Sequence, residues 1–406
     1  MRLSRTIAAV PTPPIAKVGQ WLKRYQNEFG LPIDLCKGAP SAPPCEQLKK
    51  ALVNAALDPA SAKYSDNFGT KSMREALANE MKVVYGHQTD VESTDVALTA
   101  GCNLAFYAAA QVVADKGDEI ILPVPWMALQ MLGIISVPLH LKPEDEFQPS
   151  VEACEALITP RTRAITLVTP NNPTGAIYSP SLLRAFSLLA QRHKLALIVD
   201  ETYRDFITTG PPHSLFHPSE GWNWRDTVVH LFSFSKSYAI PGHRLGAIVA
   251  GESALKQVQT VLDTIQICPP TIPQVALQSI LPSLRPLLSD TAQALSSRHT
   301  LFGKVMSSLA PRWLIGSQGG YFAFIRHPFE GKQANEVCEG LAAQVGIACL
   351  PGGNFATEKD GLITKDGEEF VQHWVRVAVA NVNDDQLTEV ARRLTAFEEL
   401  SGWKLG

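Results

Sequence analysis

Long apolar runs are missing from this 406-residue chain. No stretch of about 18 apolar residues occurs, which excludes a membrane-spanning helix of ordinary length, so no membrane partner is expected. The first twenty residues, MRLSRTIAAVPTPPIAKVGQ, carry two arginines without the apolar core of a secretory signal, and a cytoplasmic location is expected. Cysteine is sparse. Its seven copies, at 36, 45, 102, 154, 268, 338 and 349, form no C-x-x-C pair, which argues against a structural zinc site and a disulfide framework and for a reducing compartment. Charge is balanced as well: 36 Lys plus Arg face 39 Asp plus Glu, a net charge of −3, with no basic block and no acidic tail. Nucleic acid is therefore not an expected partner, and a small ligand is. Internal repeats and low-complexity tracts are absent too.

What is present is material for cores: 45% of the residues are hydrophobic, over a length sufficient for two domains. Helix-like and strand-like patterns alternate through the middle. Residues 103–114 form an alanine-rich helical run and 119–122 a short strand; 163–169 (RAITLVT) is an apolar strand, 182–194 an amphipathic helix, and 195–200 (LALIVD) another strand. Residues 228–235 (VVHLFSFS) and 244–250 (RLGAIVA) add two more. Continuous apolar strands separated by helices imply a mostly parallel sheet covered on both faces, hence an α/β fold. After residue 278 the pattern changes to long helices, with strands at 321–325, 347–350 and 374–380, which reads as a smaller α+β domain. The expected division is 1–45, packing with the small domain; 46–280, the large domain; and 281–406, the small domain. Residues 210–226 and 356–369 read as surface loops.

Several chemically capable residues fall at strand ends or helix starts. Lys236 would stand where the strand 228–235 gives way to a loop, with Arg244 eight residues on; α/β enzymes place their chemistry at such ends. Taken alone it could equally be a solvated surface lysine. Gly101, Cys102 and Asn103 lie where a loop enters the alanine-rich helix, so backbone N–H groups there could hold a phosphate; a glycine turn with Asn103 as N-cap explains the same residues. Asn171 to Gly175 (NNPTG) follows a buried strand and must turn sharply. Asp200 ends an otherwise apolar strand, an unfavourable place for a carboxylate without a positive or proton-sharing neighbour.

In order along the chain, Tyr64-x4-Gly69, Gly101-Cys102-Asn103, Trp126, Asn171-Asn172-Pro173-Thr174-Gly175, Asp200-x2-Tyr203, Ser233-x2-Lys236-x7-Arg244 and Arg376 resemble the class I/II aminotransferases, pyridoxal-phosphate enzymes of fold type I. The resemblance runs from about Ile33 to the C-terminal helix. It implies that Lys236 forms a Schiff base with the cofactor aldehyde and later moves the proton between the substrate α-carbon and the cofactor. Asp200 would pair with the pyridine nitrogen, Asn172 and Tyr203 with the ring oxygen, and Trp126 would stack on the ring. The Gly101–Asn103 amides, Ser233 and Arg244 would hold the phosphate. Arg376 would grip the substrate α-carboxylate, assisted by the backbone near Gly38, and Tyr64 would reach the phosphate of a neighbouring subunit, which implies a homodimer with shared sites.

Two departures from the family pattern stand out: Cys102-Asn103 where many relatives carry a small hydroxyl residue, and a longer 356–369 loop ahead of Arg376. The expected reaction is transfer of an amino group between an amino acid and a 2-oxo acid. The same groups would serve a β-eliminating carbon–sulfur lyase, and a non-catalytic regulator domain on this fold is a third reading, disfavoured because residues 1–30 are too short for a DNA-binding module. Dicarboxylate-specific relatives carry a second arginine before a helix of the large domain. The comparable window, residues 262–273 (LDTIQICPPTIP), has no Lys or Arg and contains Asp263, so a donor with a neutral side chain is expected.

Overall fold

The structure, a computed structural model, describes residues 4–8, 10, 15–123, 127–355 and 371–406. Among these residues thirteen strands form three sheets: β1 Ile33–Asp34, β2 Val96–Thr99, β3 Glu119–Leu122, β4 Ile135–Pro138, β5 Thr162–Val168, β6 Ala196–Asp200, β7 Val228–Ser233, β8 Gly246–Val249, β9 Leu314–Gly319, β10 Phe322–Arg326, β11 Ile347–Ala348, β12 Leu350–Pro351 and β13 Trp374–Ala378. The largest sheet has the order β2-β8-β7-β6-β5-β3-β4, and only β8 runs against its neighbours.

Its strands bury both faces, as their unbroken apolar runs imply. Along β6, Leu197 and Val199 enter one core and Ile198 the other; along β7, Val228 and Phe232 enter the first, Val229 and Leu231 the second. The helices Lys71–Tyr85 and Pro180–His193 cover the first face, while Cys102–Val113 and Glu252–Ile265 cover the second. Ser179 caps Pro180–His193 by accepting from Leu182 N, and basic residues fill its last turn.

The second sheet is antiparallel, in the order β12-β13-β10-β9, and a separate core joins it to the helices Ala334–Gln344 and Asp384–Leu400. The parallel pair β1–β11 ties the N-terminal stretch to this part: Ile33 N donates to Gly346 O at 2.8 Å. The 25-residue helix Arg285–Leu309 places Leu288 in the core of the large sheet and Phe302 in that of the small one, so it spans the two. The fold is thus α/β, a mostly parallel sheet flanked by helices with a smaller α+β part. Among the described residues no helix is long and apolar enough to cross a membrane.

Several sequence expectations need correction. The strand expected over 228–235 stops at Ser233; Phe234–Ser237 is a single helical turn, so Lys236 sits in a helix rather than at the start of a loop. Arg244 lies outside β8 in the left-handed region, φ 51°. Residues 210–226 are not a surface loop throughout. Leu215, Phe216, Trp222 and Trp224 are buried, with Trp222 Nε1 donating to Leu215 O and Trp224 Nε1 to Asp90 O, and His213 pairs with Glu201 at 3.1 Å. The Gly and Pro residues there shape a chain path whose large side chains reach the core. Loop 356–369 and Trp126 lie outside the described residues.

Candidate active site

Parallel strands deliver their last residues to one level. The register pairs Val168 with Asp200 and Asp200 with Leu231, and β2, β5, β6 and β7 all point their carboxyl ends the same way. A cavity of about 360 Å³ opens there, lined among others by Cys102, Asn103, Asn172, Asp200, Tyr203 and Lys236, with Ser233 and Arg244 at its wall. Of the residues singled out in the sequence, these eight converge. Gly101 adjoins them behind Arg244, while Gly38 and Arg376 are joined to them by hydrogen bonds. Tyr64 does not line the cavity of its own chain; it is 79% exposed.

Asp200 is fully buried. Its Oδ1 accepts from Thr202 N at 2.9 Å and from Thr202 Oγ1 at 2.7 Å, whereas among the described residues Oδ2 has only the Cys102 thiol at 3.9 Å. Burial pushes its carboxyl up to about 6, against the opposing pull of the Thr202 bonds. The Cys102 thiol is raised further still, mainly by burial, and therefore stays protonated as a weak donor. Lys236 Nζ donates to Gly38 O at 2.5 Å. Burial, with the cations Arg376 and Arg244 adding to it, brings this amine down to about 8.

Gly101, not Asn103, caps the helix Cys102–Val113, and no side chain caps that end. Leu104 N and Ala105 N donate to Gly101 O, which leaves the N–H groups of Cys102 and Asn103, both at the cavity wall, without intrahelical acceptors. Glycine is required at 101: φ is +88°, and a Cβ would stand 2.2 Å from Arg244 Nη2. The guanidinium approaches the helix end through that gap and adds a full positive charge to it. Ser233, at the end of β7, accepts from Ser235 N at 3.3 Å and starts the turn that carries Lys236.

The two asparagines of the NNPTG segment divide their work. Asn171 pins the turn, its Oδ1 accepting from Thr174 N and Oγ1 and its Nδ2 donating to Tyr178 OH; Asn172 is left to the cavity, where its Oδ1 accepts from Arg376 Nη1 at 2.8 Å. Arg376 is buried on β13. Its Nη2 donates to Cys36 O at 2.5 Å, its guanidinium lies 4.5 Å from the Phe322 ring centre, and its buried Nε has no partner among the described residues.

Tyr203 packs edge-on to Phe322 and 5.2 Å from the ring of Tyr321, whose hydroxyl donates to Lys236 O at 3.2 Å. Tyr321 and Thr202 escaped the sequence reading. A hydroxyl two residues after Asp200 is a local turn signal that could have revealed Thr202; Tyr321 comes from the other sheet and has no local signature.

The profile described as "Aminotransferase class I and II" matches residues 32–394. An aspartate aminotransferase of Thermotoga maritima is 26% identical over 87% of this chain and 92% of its own. A valine–pyruvate aminotransferase of Mycobacterium tuberculosis is 26% identical over 95% and 96%. Among solved structures, a double mutant of Thermus thermophilus aspartate aminotransferase superimposes with a TM-score of 0.84 at 25% identity, covering 98% of this chain and all of that one.

Proposed function

This chain belongs to the class I and II aminotransferases, and we propose that it moves the amino group of an amino acid with a neutral side chain to a 2-oxo acid, as a cytoplasmic homodimer with shared sites. It is a pyridoxal-phosphate-dependent aminotransferase. The cavity fits that cofactor: a helix end and Arg244 for a phosphate, a buried carboxylate with one open oxygen for a ring N–H, and an amine of lowered basicity between them. When bound, pyridoxal phosphate supplies a ring that accepts electrons from the substrate α-carbon.

The chain's own residues do the rest. Lys236 would anchor the cofactor and act as the base for the α-proton; an amine near 8 is a workable base at neutral pH. Asp200 Oδ2 would keep the ring nitrogen protonated, and Asn172 and Tyr203 would hold the ring oxygen. The Gly101–Asn103 amides, Ser233 and Arg244 would hold the phosphate. Arg376 would grip the α-carboxylate with the guanidinium hydrogens that Asn172 and Cys36 leave free, assisted by the backbone near Gly38. The observation that carries this reading is the convergence of Lys236, Asp200 and Arg244 on one cavity with Arg376 at its edge.

Tyr64, exposed in its own chain, reaches the partner's phosphate in this reading. Seven free thiols support a reducing compartment. For the donor, relatives carry names for both aspartate and valine, so the chain's own residues have to discriminate. Window 262–273 offers no cation. A second cavity of about 330 Å³ beside Lys236 is walled mainly by apolar groups such as Phe206, Leu284, Leu287 and Leu295, and its Arg298 is engaged by Asp384 at 3.4 Å. Single-turnover mixing of the holoenzyme with aspartate, glutamate, methionine, alanine and phenylalanine, followed by absorbance and by ammonia release, tests the reading. Neutral donors should react faster, without free ammonia; the reverse order, or ammonia without an acceptor, overturns it.

A further inference from the structure

The residue after the anchoring lysine is tied into a buried chain of ionic groups. Ser237 Oγ donates to Asp205 Oδ2 at 2.6 Å, and Asp205 Oδ1 accepts from Arg285 Nη1 at 3.0 Å. Arg285 also pairs with Glu80, which is buried on the helix Lys71–Tyr85. The Asp205 side chain is wholly inaccessible, and Arg204 Nε lies 4.0 Å from it. A buried carboxylate with this many charged partners is costly to maintain by comparison with apolar packing.

Its position in the chain gives the arrangement a purpose. Asp205 stands five residues beyond Asp200 and two beyond Tyr203, in the turn Arg204–Phe206 that leaves β6. Arg285 is the first residue of the helix that spans both sheets, and His299, further along that helix, faces Gly320 O at 3.0 Å, next to Tyr321. Tyr321 in turn donates to Lys236 O. The helical turn Phe234–Ser237 is therefore held from two sides, by Asp205 through the Ser237 hydroxyl and by Tyr321 through the Lys236 carbonyl.

We propose that Asp205 is a positioning residue for Lys236: with Ser237 and Arg285 it fixes the turn carrying the lysine against the segment carrying Asp200 and Tyr203, and so sets where the amine stands relative to both. This rests on the assignment of Lys236 as the reacting amine. The amine keeps the same charged and titratable surroundings when Ser237 or Asp205 is changed, namely Arg376, Arg244, Asp200, Tyr203 and Cys102. What changes is how firmly it is held out of water.

Ser237→Ala, Ser237→Thr and Asp205→Asn test this in the full-length protein. In the holoenzyme, Ser237→Ala and Asp205→Asn should lower kcat about tenfold or more while KM and cofactor affinity stay within about twofold, since a small displacement of a reacting group falls on the chemical step. Ser237→Thr, which keeps the hydroxyl, should restore kcat. After cofactor removal, competitive acylation of Lys236 followed by mass spectrometry should show its titration midpoint rising by about one unit as the amine gains water. A purely structural role would lower the melting temperature without moving that midpoint. If Asp205→Asn does not fold, Ser237→Ala decides alone. An unmoved midpoint with unchanged kcat in Ser237→Ala overturns the proposal, provided borohydride traps the cofactor on Lys236; trapping on another lysine overturns the assignment of Lys236 instead.

Discussion

Replacing Arg376 by lysine isolates what the guanidinium contributes. In place, Nη1 and Nη2 each give one hydrogen, to Asn172 Oδ1 and to Cys36 O, which leaves a second hydrogen on each and the buried Nε–H for a carboxylate. A lysine keeps the charge but presents a point cation that cannot serve those two acceptors and a planar carboxylate together. At least one charge-assisted bond to the substrate is lost, worth about 1.5–3 kcal/mol, so KM for an amino acid should rise roughly tenfold to a hundredfold. The control is a simple amine without an α-carboxylate. It cannot use the lost bond, and its slow half-reaction should proceed at the same rate in Arg376→Lys and in the unmodified enzyme. Single-turnover rates against concentration for both substrates give the comparison. If amine and amino acid suffer equally, Arg376 supports the site only by holding Asn172 and Cys36, and the carboxylate assignment is wrong.

Three further outcomes are expected. Gly101→Ala, whose Cβ would displace the Arg244 guanidinium, should weaken pyridoxal phosphate binding about tenfold by equilibrium titration while leaving unphosphorylated pyridoxal unaffected; equal losses for both ligands would mean general damage to the loop. In the cofactor-free protein Asp200 holds its proton more tightly folded, about 6, than unfolded, 3.8, so its contribution to stability falls as pH rises through that window. Asp200→Asn should then stabilise the cofactor-free protein by about 2–3 kcal/mol at pH 8 and by almost nothing at pH 4, as read from urea unfolding; a gain independent of pH contradicts the burial argument. Mixed subunits of inactive Tyr64→Ala and Lys236→Ala proteins should regain part of the activity, since each heterodimer can assemble one intact site. No recovery after verified exchange counts against sharing.

The site was legible in the sequence where a polar residue interrupts an apolar strand pattern. Asp200, Ser233 and Arg376 announce themselves because burial of such groups without a task is unfavourable. The short strands β1, β2, β4 and β9 were missed, being two to six residues long with no alternation of their own, their pairing imposed by distant partners. Residues 210–226 misled because Gly and Pro were read as solvent signals although Leu215, Phe216, Trp222 and Trp224 anchor the path inward. The Asp205–Ser237 tie could not be seen, since its partners stand 32 residues apart and each reads singly as an ordinary turn residue.

The pairing of β1 with the last third of the chain has a consequence for biosynthesis. Cys36 O meets Arg376 across 340 residues, and Asp34 O meets Asn381 Nδ2 across 347. A ribosome adding about 5–20 residues each second leaves the N-terminal stretch waiting on the order of 20–70 s before its partners exist. Throughout that time Ile33 and Leu35, both buried in the finished protein, lack the strands β11 and β13 that complete their core. The corner that holds Arg376, the residue proposed to grip the substrate, thus closes only after nearly the whole chain has been made.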